Sequence, residues 1–423
     1  MKKKRIVSTV LAGLMCATTV GVFSSCTGGS VAGEIHVAFS ETGYGVEFMN
    51  LWKEEFEKEN PNAHVRLEGS PTMNTEVENR LQTGTNVPDV FIVLDMGWQK
   101  QAASGRLEPL NDIYSAPADD SGMTIEQFMN PAMRDYGKLT DGNYYAVPWT
   151  DGPTSIIYNK DMFEKYGWDE SPDTVADLIA LCETINNQKD EHGASIGVKP
   201  FALYTAYGGY LVDTWWAQYE GAENYQRFFD YENPYGYVQK GRVAALKAFE
   251  DVFTDPDTHL KTNMANGVSD HTTAQREFGL QHTAMIVEGA WVENEGKTYL
   301  KDNEGNDNFN YAMMPMPYVD GVMTDEDGTP INTMASQAGD FMCIPKSAKN
   351  VTGAKEFLKF INSKRGCELF TLGTNGAIRP FQYSPRDVEG VQASDFMRTC
   401  WDVYEAAEIV YGYSTSPMQW RCP

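Results

Sequence analysis

The chain has 423 residues, with 34 Lys and Arg against 59 Asp and Glu, for a formal charge of -25. Hydrophobic residues at 42% and aromatics at 12% supply enough apolar material for large cores, which excludes a disordered or low-complexity protein. The acidic balance argues against a nucleic-acid partner, which calls for Lys and Arg in excess, and against attachment to anionic headgroups.

Lys2, Lys3, Lys4 and Arg5 precede an apolar stretch from Ile6 to Phe23 that ends in Ser24, Ser25 and Cys26. A basic head, an apolar middle and small residues before a break describe a secretory leader over 1–25. A transmembrane anchor is the alternative. The stretch is near the lower limit for spanning, carries Ser8, Thr9, Thr18 and Thr19, and has no charged stop-transfer flank. Phe23 to Cys26 resembles a bacterial lipobox, with Phe where Leu is usual, and this implies acylation of Cys26 after cleavage. Residues 26–33 then read as a tether. The expected location is the cell membrane, lipid-anchored on its extracytoplasmic face, with no membrane contact beyond the lipid. Seven Cys are present. Cys182, Cys343, Cys367, Cys400 and Cys422 remain after Cys16 and Cys26, in no metal or redox spacing, and read as buried thiols. A Cys400–Cys422 bridge stays open.

Beyond the tether, strand and helix alternate. Glu34 to Phe39 reads as a buried strand and Val46 to Glu59 as a helix with Phe48, Leu51, Trp52, Glu55 and Phe56 near one face, stopped by Asn60-Pro61. His64 to Glu68 is a second strand, Thr75 to Thr83 a short helix, and Pro88 to Leu94 a third strand. This order is a parallel α/β unit with right-handed crossovers. Tyr144 to Trp149 and Thr154 to Asn159 are two strands joined by the turn signal Asp151-Gly152-Pro153. Residues 161–260 read mainly as helix. Strand signals return at Thr283 to Glu288, Phe309 to Met314 and Phe341 to Pro345. Helices follow at Val351 to Asn362, Arg365 to Thr371 and Ser394 to Tyr411. The expected organisation is an N-terminal α/β lobe over 34–150 and a mainly helical, discontinuous second lobe over 151–310. Residues 311–423 supply hinge strands and C-terminal helices shared between the lobes. A chain that leaves a lobe and returns makes several crossings, and ligands favour the cleft between such lobes.

Five segments, in order, resemble one family. Asn86 to Val93 is similar to a G-x-x-P-D-V strand, and Ser104 to Leu110 to a G-x-L-x-P-L segment. Tyr145 to Trp149 with Ile157 to Phe163 resembles a Y-x-x-P … Y-N-K-D-x-F hinge region. Thr283 to Trp291 is close to A-M-x-x-x-G-x-W, and Phe341 to Phe360 to I-P-K-x-S-K-N-x-x-A-x-x-F-L-x-F. Together they are similar to the extracellular solute-binding proteins, family 1, of bacterial ABC importers. The resemblance implies an α/β, two-lobe periplasmic-binding-protein-like fold with hinge crossovers, a monomer that closes on a sugar and delivers it to its partners, the permease transmembrane subunits. Gln337 to Asp340 departs from the family's Gly-Gly pair, which leaves that loop's ligand contacts undecided.

Sugars expose hydroxyls around their edges and apolar patches on ring faces, so a sugar site calls for carboxylates, amides and Arg with Trp or Tyr stacking. Such groups are expected just past strand ends. Glu41 and Tyr44 follow the first strand; a plain turn competes. Asp95 with Trp98 follows the third strand, where a helix cap and a packed indole compete. Trp149 and Asp151 sit in the hinge. Of Trp215 and Trp216, one is expected in the core and one in the cleft. Glu288, Gly289 and Trp291 form the leading set, since the Gly lets a ligand approach the backbone. Asp340 and Arg379 complete it, with a surface ion pair as the other reading of Arg379. No cofactor or metal is called for: the acidic run Asp325 to Asp327 lacks calcium-loop spacing. A surface glycoside hydrolase or lyase, or a lipid-tethered glycan-capture protein, remains the competing class. None of the hydrolase, metalloprotease or P-loop motifs is present.

Overall fold

In a computed structural model the described residues are 31–41, 43–94, 96–229, 236–254, 262–302, 305–336 and 340–412. The leader, Cys26, the tether up to Ser30, Asp95, residues 337–339 and Cys422 lie outside them. The strands, in chain order, are β1 (Gly33–Ser40), β2 (Ala63–Ser70), β3 (Val90–Leu94), β4 (Val147–Pro148), β5 (Thr154–Asn159), β6 (Lys199–Ala202), β7 (Thr283–Gly289), β8 (Tyr311–Met314), β9 (Thr333–Ser336), β10 (Asp340–Cys343) and β11 (Glu408–Tyr411).

They form two main sheets. The first has the order β2-β1-β3-β10-β4, in which β1 is parallel to β2 and β3, and β10 runs antiparallel between β3 and β4. The second has the order β6-β7-β5-β8, with β5 antiparallel to both neighbours and β6 parallel to β7. A short parallel pair, β9 with β11, lies apart.

Each sheet organises its own core. In the first, the helix Glu47–Glu59 lays Phe48, Trp52 and Phe56 against Phe357 and Phe370 from the late helices Val351–Ile361 and Lys364–Gly373. The Trp52 indole donates to Gly366 O at 2.8 Å, fixing that helix pair. Asp89 shows why Pro-Asp-Val suits this place. Its carboxylate accepts the N–H groups of His36, Lys349 and Asn350 at 2.7–2.9 Å, tying β1 to the start of the helix Val351–Ile361. In the second body, the helices Val175–Asn187, Gly208–Phe229 and Lys240–Phe253 cover one side of the sheet.

The chain crosses between the sheets three times. Asp151-Gly152-Pro153 does not close a hairpin: β4 belongs to the first sheet and β5 to the second, so this turn is the first crossing. The second runs from β9 to β10. The third follows the helix Lys364–Gly373 and leads to the helix Asp395–Glu405, which packs on β8. Of residues 311–423, then, β8 sits within the second sheet and β10 within the first.

Several boundaries differ from the sequence reading. Only Val147 and Pro148 of 144–149 join a ladder, because β10 supplies a partner for no more than two residues there. Residues 161–260 contain β6 as well as helices. The last helix ends at Glu405, and β11 follows by pairing with β9. Cys182, Cys343, Cys367 and Cys400 are buried free thiols.

Candidate functional site

Two groups of side chains meet where the sheets face each other. On the second body, Tyr204, Tyr207 and Tyr210 recur every third residue across a 3-10 turn and the start of a long helix, and so share a face. Their rings form a row: Tyr204–Tyr207 at 5.2 Å, Tyr207 stacked on Tyr210 at 4.8 Å, and Tyr210 edge-on to Trp291 at 5.9 Å. His271 lies 6.1 Å from the Tyr207 ring. All five are half-exposed, an unusual state for a large aromatic cluster unless it meets a ligand. The sequence reading missed Tyr204, Tyr207, Tyr210 and His271, although the three-residue spacing of the tyrosines carries the signal.

On the first body, Tyr44 follows β1 and its hydroxyl is hydrogen-bonded with Thr150. Thr150 in turn donates to Asp340 Oδ2 at 2.5 Å. Burial and the Asp340 carboxylate push the Tyr44 phenol far above its ordinary range. The Tyr210 phenol is pushed up too, by burial first and then by Tyr207, Glu288, Asp340 and Tyr44. Groups from both bodies therefore share one electrostatic environment.

The bodies also touch directly. Asn294 Nδ2 donates to Gly43 O at 2.9 Å, and the Glu295 carboxylate accepts the Gly43 N–H. A Cβ on Gly43 would sit 2.7 Å from Cβ of Trp291, so glycine alone permits this approach. A cavity of about 660 Å³ opens beside the contact, bounded by Tyr44, Trp291, Asn294, Lys297, Thr374 and Ser394. That volume suits a small-molecule ligand.

Glu288 closes β7 and is wholly buried. Gln275 Nε2 donates to it at 3.1 Å, and the Gly289 N–H and the Trp291 side chain do so as well. Its role here is to aim Trp291, while Gly289 leaves room for the indole, whose ring atoms would lie 2.2 Å from an added Cβ. Burial pushes the Glu288 carboxyl up to about 8, against the pull of its donors. Between its unfolded value of 4.5 and about 8, the native chain holds a proton that the unfolded chain has lost. Stability from this group is therefore fully present below that window and falls as pH rises through it, by up to about 1.4 kcal/mol per pH unit. Glu288→Gln is expected to lose less melting temperature than the parent between about pH 5.5 and about pH 8.5. Parallel thermal melts check this; equal slopes would remove Glu288 as the source.

The other expected contacts are placed differently. Trp98 is buried in the first core, 6.1 Å from the Tyr136 ring. Trp149 is buried between Tyr44 and Phe48. The expectation that one of Trp215 and Trp216 faces the cleft is corrected: both are buried. Trp215 donates to Pro317 O at 2.9 Å, and Trp216 donates to Gln239 within a ring cluster of Tyr225, Phe228 and Phe229. Glu41 is exposed, its carboxylate lying over Gly69 of β2. Asp95 falls outside the described residues.

Asp151 and Arg379 are wholly buried and hold the crossings together. Asp151 accepts from Ser336, Tyr404 and Tyr411. Arg379 is no surface ion pair. It donates to the carbonyls of Pro148, Trp149 and Ile361 and to Asn362 Oδ1, with its guanidinium over the rings of Trp52 and Phe381.

The chain is similar to known proteins. The solved GacH receptor of Streptomyces glaucescens, described unliganded and with acarbose, matches with a TM-score of 0.64 at 19% identity, over 89% of this chain and 87% of that one. The diacetylchitobiose binding protein NgcE of Streptomyces coelicolor is 22% identical over 81% of this chain and 69% of its own length. An ABC transporter extracellular-binding protein of Pyrococcus horikoshii, PH1214, is 24% identical over 92% and 82%. The family described as bacterial extracellular solute-binding protein matches residues 38–366. With two sheets joined by three crossings and a family match running through both of them, the chain belongs to the bacterial extracellular solute-binding proteins.

Proposed function

We propose that this chain is the carbohydrate receptor of an ABC importer, held on the extracytoplasmic face by a lipid on Cys26 and acting as a monomer without catalysis. The observation that carries the reading is the half-exposed row Tyr204, Tyr207, Tyr210 and Trp291 facing Tyr44 across the crossings. Aromatic faces stack on sugar rings, and the neighbouring carboxylates and amides accept and donate to hydroxyls. NgcE and the GacH receptor are described with carbohydrate-type ligands, which favours the same class here. Asp340, Asp95 and Glu41 are kept as proposed ligand contacts. Ligand held by both bodies favours the closed arrangement, and the permease reads that state.

Calorimetry with mono- and oligosaccharides tests this, with the recovered sugar checked by chromatography. Binding with intact sugar supports the receptor; cleaved sugar would make the chain an enzyme. No binding across a broad panel would remove the carbohydrate assignment. Trp291→Ala is expected to cost about 2 kcal/mol or more, on the order of thirtyfold in Kd. An unchanged Kd would take Trp291 out of the site.

A further inference from the structure

Glu288 and Glu295 are held by one side chain. Gln275 Nε2 donates to Glu288 Oε1 and to Glu295 Oε2, each at 3.1 Å. Glu288 is wholly buried and Glu295 half-buried. Burying carboxylates together is costly unless a proton or a cation accompanies them. The Glu295 charge acts on Glu288, and that of His271 on Glu295. Beside it stand Tyr210, Trp291 and Tyr44, and Asp340 acts on both Tyr44 and Tyr210.

Three basic residues lie nearby. Arg276, next to Gln275, is exposed. Lys297 and Lys301 line the adjoining cavity, where Lys301 is paired with Asp307 at 2.8 Å and lies 3.8 Å from Glu293. Ring faces carry negative potential, so rings and carboxylates together favour a cation.

We propose that the ligand of this cleft carries a positive charge, as a sugar with a free protonated amine does, seated against Glu295, with Glu288 buried behind it, among the rings of Tyr44, Tyr210 and Trp291. The inference rests on the carbohydrate reading above and narrows it. In the empty site a proton on Glu288 balances the pair. An arriving ammonium takes over that balance, so the carboxylic acid of Glu288 becomes a carboxylate and its proton leaves to solvent. A hydroxyl or an N-acetyl group in the same position brings hydrogen bonds but no charge, and releases no proton.

The test uses the full chain in mild detergent and three oligosaccharide sets of equal length, built from glucosamine, N-acetylglucosamine and glucose. Calorimetry is run at about pH 5.5, where the amines are already protonated and Glu288 still holds its proton, in two buffers that differ in ionisation enthalpy. The expected result is binding of the glucosamine set tighter by about tenfold or more, with proton release and weakening by salt. Glu295→Gln is expected to bring the ratio of amine to neutral affinity towards one. If that variant fails to fold, the parent chain decides: an amine ligand bound without proton release overturns the proposal. Neutral or acetylated sets binding as tightly as the amine overturn it while the carbohydrate reading stands. Should no sugar bind, a spermidine titration separates the two: binding supports the charge and overturns the carbohydrate, and no binding overturns both.

Discussion

Asp151→Ala is expected to destabilise the folded chain by about 3–5 kcal/mol, on the order of 10 °C in melting temperature. The carboxylate accepts three hydroxyls, from Ser336 on β9, Tyr404 on the last helix and Tyr411 on β11. Its backbone N–H donates to Ile378 O at 3.0 Å, on the third crossing. One residue thus ties all three crossings at a fully buried position. Alanine strands the hydroxyls in an apolar setting, where each unmet group costs about 1–3 kcal/mol unless it rotates to a new partner. Asp151→Asn keeps the shape and an acceptor oxygen, so it should lose less than half as much. Thermal and denaturant unfolding check both. An alanine variant melting with the parent would show that the hydroxyls find other partners.

Arg379→Met should fall in the same range, about 3–5 kcal/mol, for a different reason. The guanidinium is buried among carbonyl oxygens, and burial pulls it below its ordinary value. Two of its acceptors, Ile361 O and Asn362 Oδ1, lie at the C-terminal end of a helix, where carbonyls lack helical partners and the dipole favours a cation. Two more, Pro148 O and Trp149 O, lie on the first crossing. Methionine fills much of the volume but leaves four acceptors unmet. Arg379→Lys should recover little of the loss, since one ammonium cannot span two segments with a planar fork. Chemical denaturation is the direct measurement; parent-like stability in either variant would overturn the account.

Much of this fold was legible because strands buried on both faces carry apolar runs; β3 is one throughout, and β1, β5 and β7 hold shorter ones within buried strands. Strands β6, β9 and β11 have four residues each, too few for a period to register, and they exist because a distant partner pairs with them. The site followed the same logic. Trp291 was readable from its place after a strand, Gly289 before it. Asp151, Arg379, Trp215 and Trp216 carry side chains that a cleft would use, but their burial is decided by partners up to 260 residues away. No local pattern encodes that. The tyrosine row was the reverse case: a regular spacing was present in the sequence and was passed over for the larger indoles beside it.

The place of β10 has a consequence for how the molecule is made. Leu94 pairs with Asp340, and Phe91 with Cys343. A chain that lengthens from its N-terminus therefore carries β3 with one edge open until residue 343 has been synthesised. The helices Val351–Ile361 and Lys364–Gly373, which cover Phe48, Trp52 and Phe56, come later still. Pairings this far apart in sequence form slowly. The first sheet, though it leads in the sequence, is among the last parts to be completed. That delay leaves the β3 edge as the place where a stalled chain would aggregate.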